Sequence, residues 1–169
     1  MKPIVITMVG KDKAGLVDSL AKHIYAQGGN WLASNFALMA GQFAGFVEVH
    51  IPQEKHDTLI KSLDALEGIS VQSVVAGDLE NQAPSDSLVI NVMGNDKPGI
   101  VQEITAILHQ FNLSIVSMDS CCESAPNWGS LMFKANIVID VPVGFDKDTI
   151  AEALESVAND LVVDISTYS

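Results

Sequence analysis

The chain has 169 residues, of which 48% are apolar, and its mean hydropathy of +0.28 places it among folded proteins rather than disordered ones. Its formal net charge of −12 and pI of about 4.4 repel phosphate, so direct binding to nucleic acid or to an anionic membrane surface is excluded as an expectation. The nine Lys and Arg residues are scattered rather than gathered on one segment.

Residues 3–9, PIVITMV, form a β-branched apolar run that predicts a central strand. A turn over Gly10 to Gly15 follows, and Leu16, Leu20, Ala21 and Ile24 then recur at helical spacing until Gly28-Gly29. Residues 31–40 and 43–51 predict a hairpin around Gly41-Gln42. Glu54 to Leu66 predicts a second amphipathic helix, closed by Gly68, and residues 69–77 a fourth strand. Residues 78–87, DLENQAPSDS, are polar and acidic and read as a linker between domains at 1–77 and 88–169. The order then repeats. A strand is predicted over 88–93, a helix from Ile100 to Phe111 with Pro98 suited to its first turn, strands over 113–122 and 130–141, a helix from Asp146 to Val157 and a last strand over 161–168.

The repetition is also literal. Residues 4–36 align on residues 88–120 without a gap at an offset of 84, with seven identities: Val5/Val89, Ile6/Ile90, Gly10/Gly94, Asp12/Asp96, Lys13/Lys97, Gly15/Gly99 and Val17/Val101. The chain is therefore read as two copies of a β-α-β-β-α-β unit. The fold class is α+β: two tandem ferredoxin-like domains, each a four-stranded antiparallel sheet with two helices on one face. Apolar residues on both faces of several strands predict that sheet faces or edges are shared, and with them a homo-oligomer.

The best-matched stretch is the turn, G-K-D-K-A-G in the first copy and G-N-D-K-P-G in the second. Glycines there permit positive φ and close approach to the backbone, Asp12 and Asp96 can cap the helix, and free amides at a helix start attract an anion such as a carboxylate. The same pattern also serves a turn that binds nothing. Its glycine spacing is not that of a dinucleotide fingerprint.

The turn, followed by an aliphatic residue and valine within a unit of this length, resembles the ACT domain family, once in each half. The resemblance implies an amino-acid or other small-metabolite site built from the first turn and the start of the second strand, between paired domains. Carried over by position, the ligand-binding candidates are Gly10, Asp12, Lys13, Ala14, Gly15, Leu16 and Asn30 in the first half, and Gly94, Asn95, Asp96, Pro98, Gly99 and Ile100 in the second. The first turn has Ala14 where many members have proline, and Ser114 stands where Asn30 does. Two such domains without a catalytic one are similar to glycine-responsive repressors of glycine-cleavage genes. That similarity implies a protein partner, a transcription activator, with no direct contact to nucleic acid. A regulatory subunit of a biosynthetic enzyme, and an interaction module without ligand, remain alternative readings.

No catalytic arrangement, cofactor motif or metal-ligand spacing is present among the four histidines and two cysteines. Cys121 and Cys122 are adjacent and read as an inert pair, their pKa values raised by Asp119 and Glu123. Trp31 reads as a core or interface residue near the ligand turn. The short apolar stretch after Met1 does not suit a signal peptide, and no run approaches the roughly 20 apolar residues of a membrane span, so a cytoplasmic protein is expected.

Overall fold

The computed structural model describes residues 1–11, 14–77, 83–124, 129–157 and 160–168. It divides into two compact units, residues 1–79 and 80–169. In the first, β1 (Lys2–Lys11), α1 (Leu16–Ala26), β2 (Asn30–Met39), β3 (Gln42–Ile51), α2 (His56–Asp64) and β4 (Ile69–Val75) follow one another. In the second, the order is β5 (Ser85–Asn95), α3 (Ile100–Gln110), β6 (Ser114–Ser124), β7 (Leu131–Pro142), α4 (Lys147–Val157) and β8 (Val162–Thr167).

Each unit is one four-stranded sheet, ordered β2-β3-β1-β4 and β6-β7-β5-β8, with every neighbouring pair antiparallel. The first strand of each unit is central, because its alternate residues and the helices share one core. Ile4, Ile6 and Met8 of β1 pack with Val47, Val49 and Ile51 of β3 and with Leu16, Leu20, Ile24, Leu59 and Leu63 of the two helices. Leu88, Ile90 and Val92 of β5 do the same with β7, α3 and α4. No polar side chain is buried among the described residues. No described helix is long and apolar enough to cross a membrane.

The elements differ from the sequence expectation mainly at their ends. β5 begins at Ser85, so the last three residues assigned to the linker are strand, with Ser85 to Ser87 opposite Pro142 to Asp140. The second helix of unit 1 is preceded by a separate 3₁₀ turn, Gln53–Lys55, and ends at Asp64. The hairpin turns on Ala40-Gly41, both at positive φ (49° and 79°), and Gln42 already belongs to β3. Both residues at positive φ is the mark of a two-residue turn whose twist matches the strands.

The duplication is visible in small details. Gly28 (φ 74°) ends α1 and Asn112 (φ 56°) ends α3, each in the left-handed region. Their neighbours complete matching caps, Gly29 N–H to Ile24 carbonyl and Leu113 N–H to Leu108 carbonyl. One register shift falls between Trp31 and Ala33 in β2 and another between Ile115 and Ser117 in β6, the same place in each copy.

The outer sheet faces, away from the helices, do differ. In unit 1, Val9, Phe46 and Val74 lie exposed there. In unit 2, a row crosses all four strands through the pairs Asp119/Asn136, Asn136/Asn91 and Asn91/Asp164, with Asn136 donating to Asn91 at 2.9 Å.

Candidate functional site

β1 delivers the chain to the turn at one end of its sheet. Gly10 is its last buried residue and pairs with Phe43 on one side and Ile69 on the other. A Cβ at Gly10 would stand 2.7 Å from the carbonyl oxygen of Gly68, so the close approach of the chain entering β4 requires glycine there. Gly94 repeats this, since its Cβ would meet Leu161 and the carbonyl of Asp160. The second glycine of each turn has a different task. Gly15 (φ 82°) and Gly99 (φ 86°) sit in the left-handed region at the helix start, where a Cβ would meet nothing but the backbone would be strained.

Neither α1 nor α3 has a side-chain cap among the described residues. Asp96 therefore does not cap α3 as its position suggested; its own N–H donates to the Leu131 carbonyl at 2.9 Å. The first intrahelical bonds are Ser19 N–H to Gly15 carbonyl and Glu103 N–H to Gly99 carbonyl, each 2.9 Å. Ile100 N–H reaches back to the Lys97 carbonyl at 3.3 Å, and the first turn of each helix, without intrahelical acceptors for its amides, forms a partial positive pole. Pro98 lies in the turn before α3, two residues ahead of the first helical residue, Ile100.

Beside the first turn is a cavity of about 560 Å³, lined by Lys11, Ala14, Gly15, Leu16 and Ser19 on one side and by Leu66 to Ile69 on the other. Of the first-half candidates, Gly10, Ala14, Gly15 and Leu16 are brought together at this end of the sheet. Asp12 and Lys13 lie outside the described residues. Asn30 is not brought to the turn of its own unit. It opens β2 opposite His50, and His50 is opposite Pro3, so Asn30 sits at the far end of the sheet, about 23 Å from Gly10 by strand length. Lys11, Ser19 and Glu67 are lining residues that the turn motif did not mark. Lys11 and Ser19 flank it, whereas Glu67 comes from the α2–β4 connection, and only the fold brings it near.

In the second half Gly94 and Asn95 end β5, Asp96 and Pro98 lie in the turn, Gly99 precedes α3 and Ile100 opens it. Lys97 closes the turn with an ion pair to Glu103 at 3.0 Å. Glu103 Oε2 is sealed from solvent and meets the ammonium without hydrogen-bond alignment, as a contact of charges.

The cysteines stand in β6 as free, exposed thiols. Of the two carboxylates that sequence neighbours suggested, Glu123 does lie by Cys121, whereas Cys122 meets a different one. Desolvation first, and then the charge and hydrogen bond of the Asp96 carboxylate and the proximity of Cys121, hold the Cys122 thiol above its ordinary value. Asp96 comes from the turn after β5, two strands away, and no local pattern announces it. Cys121 instead contacts Glu123 at 3.7 Å. Trp31 packs against the core, 6.0 Å from Phe36, which stacks on Phe43 at 5.4 Å. Trp128 lies outside the described residues. Among those residues no group of three or more His, Cys, Asp or Glu side chains is placed to hold a metal ion.

The paired ferredoxin-like sheets, each with a glycine turn opening its first helix, define a tandem ACT architecture. The ACT domain model matches residues 2–71 and 86–120, more than half of the chain, and the protein belongs to the ACT domain family. It is 23% identical over 162 residues, 94% of this chain and 85% of the relative, to the glycine cleavage system transcriptional repressor of Escherichia coli (strain K12). A solved structure of an unknown protein from Galdieria sulphuraria superimposes with a TM-score of 0.83 at 22% identity, covering 99% of both chains. Another, provisionally described as a glycine cleavage system transcriptional repressor, gives a TM-score of 0.68 at 16% identity over 99% of this chain and 98% of the other.

Proposed function

We propose that this chain is a non-enzymatic, cytoplasmic regulator that binds a small amino acid, glycine foremost, at its helix-start turn and passes the state to a protein partner. The observation that carries this reading is the lining of the first-unit cavity. A helix end with no side-chain cap among the described residues, and with Gly15 in the left-handed region, borders the same space as Lys11 and Glu67. A zwitterion has the complementary pair of charges. Its carboxylate suits the amides and Lys11, and its ammonium suits Glu67. Among the described residues Ala14, Gly15 and Gly68 leave room in this lining for a small ligand.

By analogy with its relative from Escherichia coli, the output is repression of glycine-cleavage genes, and the resemblance drawn from the sequence adds a transcription activator rather than DNA as the target. The net charge of −12 supports a protein target over a nucleic acid. The edge strands β2, β4, β6 and β8 keep one side of their backbone unpaired within their own sheets, and they are the surfaces through which a homo-oligomer would form.

The test is a thermal-shift screen of the purified protein against the twenty amino acids, with calorimetry on each hit. A native-state ligand raises Tm by mass action, by about 2.7 kcal/mol of stabilisation at a hundredfold excess over Kd. Selective stabilisation by glycine that is lost in Gly15→Val supports the reading. A flat screen overturns ligand sensing, and DNA binding with a steep salt dependence overturns the protein-partner route.

A further inference from the structure

We infer that the two turns are not equivalent sites: Glu103 supplies the second turn with an internal carboxylate, so that only the first accepts the carboxylate of a free amino acid. The inference rests on the amino-acid-binding reading above and adds to it which copy binds and why. In the second unit Lys97, the cation of the G-N-D-K-P-G turn, is paired with Glu103 at 3.0 Å, with the contacting oxygen shielded from water. The ion pair joins the residue two before Gly99 to the fourth residue after it, and so brackets the helix start. A carboxylate in the first turn of α3 is thus already paired with the turn cation that would otherwise attract one.

The first unit has Ser19 in the place of Glu103, and its side chain lines the open cavity. Two further exchanges push the same way. Lys11 of the first unit corresponds to Asn95 of the second, which removes a cation. Gly68, whose carbonyl approaches Gly10, corresponds to Asp160, whose carbonyl approaches Gly94. Together with Glu103 these exchanges add three negative charges to the second turn, and the exchange of Glu67 for Asn159 removes one, a net gain of two. An incoming carboxylate would have to displace Glu103 from Lys97 and then sit beside it and Asp160. The ion pair is about one-third exposed (39% and 36%), so its own worth is small. Its effect is exclusion of a like charge rather than stability.

The experiment is a titration of ¹⁵N-labelled protein with glycine, followed at the amide signals of Gly15 and Gly99, in the native chain and in Glu103→Ser, Glu103→Gln and Ser19→Glu. In the native chain Gly15 should shift with saturation at one glycine per chain, while Gly99 responds at least about tenfold more weakly, a difference of ~1.4 kcal/mol. Glu103→Ser or Glu103→Gln should make Gly99 respond and raise the calorimetric stoichiometry towards two. Ser19→Glu should silence Gly15. Equal responses of Gly15 and Gly99 in the native chain overturn the inference but leave amino-acid binding standing. So does a silent Gly99 in both Glu103 variants while Gly15 still shifts. Silence of both signals in every variant, repeated with the other nineteen amino acids, overturns the binding reading itself and the inference with it.

Discussion

Single residues in the left-handed region show what the turn requires. Gly15 and Gly99 hold φ values of 82° and 86°, which a side chain reaches only at a cost of about 1–2 kcal/mol. Gly15→Ala is therefore expected to lower unfolding free energy by that amount in urea titration without a steric clash. Gly10→Ala fails for another reason, the Gly68 carbonyl at 2.7 Å from the added carbon, and is expected to cost ~1–3 kcal/mol. The opposite change is available in the hairpin. Ala40 occupies φ 49°, and Ala40→Asn is expected to stabilise the fold by about 0.5–1 kcal/mol, since asparagine tolerates that region better. The motif alone did not separate these roles, because glycine in G-x-D-K-x-G is written the same way whether it admits a neighbouring strand or a positive φ.

At the scale of elements, the thiol of Cys122 reports how β6 meets the turn after β5. Its pKa is raised, chiefly by desolvation and then by Asp96, so the folded state holds the thiol proton more firmly than the unfolded chain does. The corresponding stability is complete below the ordinary thiol pKa and is lost as pH rises through the higher folded value. In a Cys121→Ser background, where Cys122 is the sole thiol, the midpoint of iodoacetamide reaction against pH should lie above that of a free cysteine. Asp96→Asn should move it down. An unmoved midpoint would place the Asp96 carboxylate away from the sulfur.

Element order, by contrast, was legible before any coordinates. The β-branched apolar run PIVITMV and the helical spacing of Leu16, Leu20 and Ile24 are local signals, and those residues do form β1 and the buried side of α1. What was not legible depends on contacts across the sheet. Glu67 at the cavity that Lys11 also lines, Asp96 beside Cys122 and Asn30 at the end of the sheet remote from the turn are consequences of strand pairing. No spacing along the chain encodes them. The start of β5 at Ser85 was obscured because Ser-Asp-Ser has the composition of a loop, yet its pairing with β7 carries it into the sheet.

For the whole molecule, charge and core pull in opposite directions. Each unit has its own apolar cluster, and truncating a fully buried member such as Ile6→Ala or Ile90→Ala is expected to cost ~2–5 kcal/mol, read by urea unfolding. Against this stands the self-repulsion of a chain at −12, which is screened beyond about 10 Å at 0.1 M salt. Tm should therefore rise by several degrees when sodium chloride is raised from low to physiological concentration, and a fall would mean that attractive ion pairs outweigh the repulsion.

The register shift that β2 and β6 share also speaks about descent. In each strand it leaves Leu32 or Val116 as the residue between paired neighbours, 84 positions apart, as the aligned turns are. Two separate insertions at one position make a less economical history than a single insertion that was later copied. The lone unit that gave rise to this chain by duplication therefore already carried the irregularity on its edge strand. The differences between the halves, Ser19 against Glu103 among them, were written afterwards on a frame already settled.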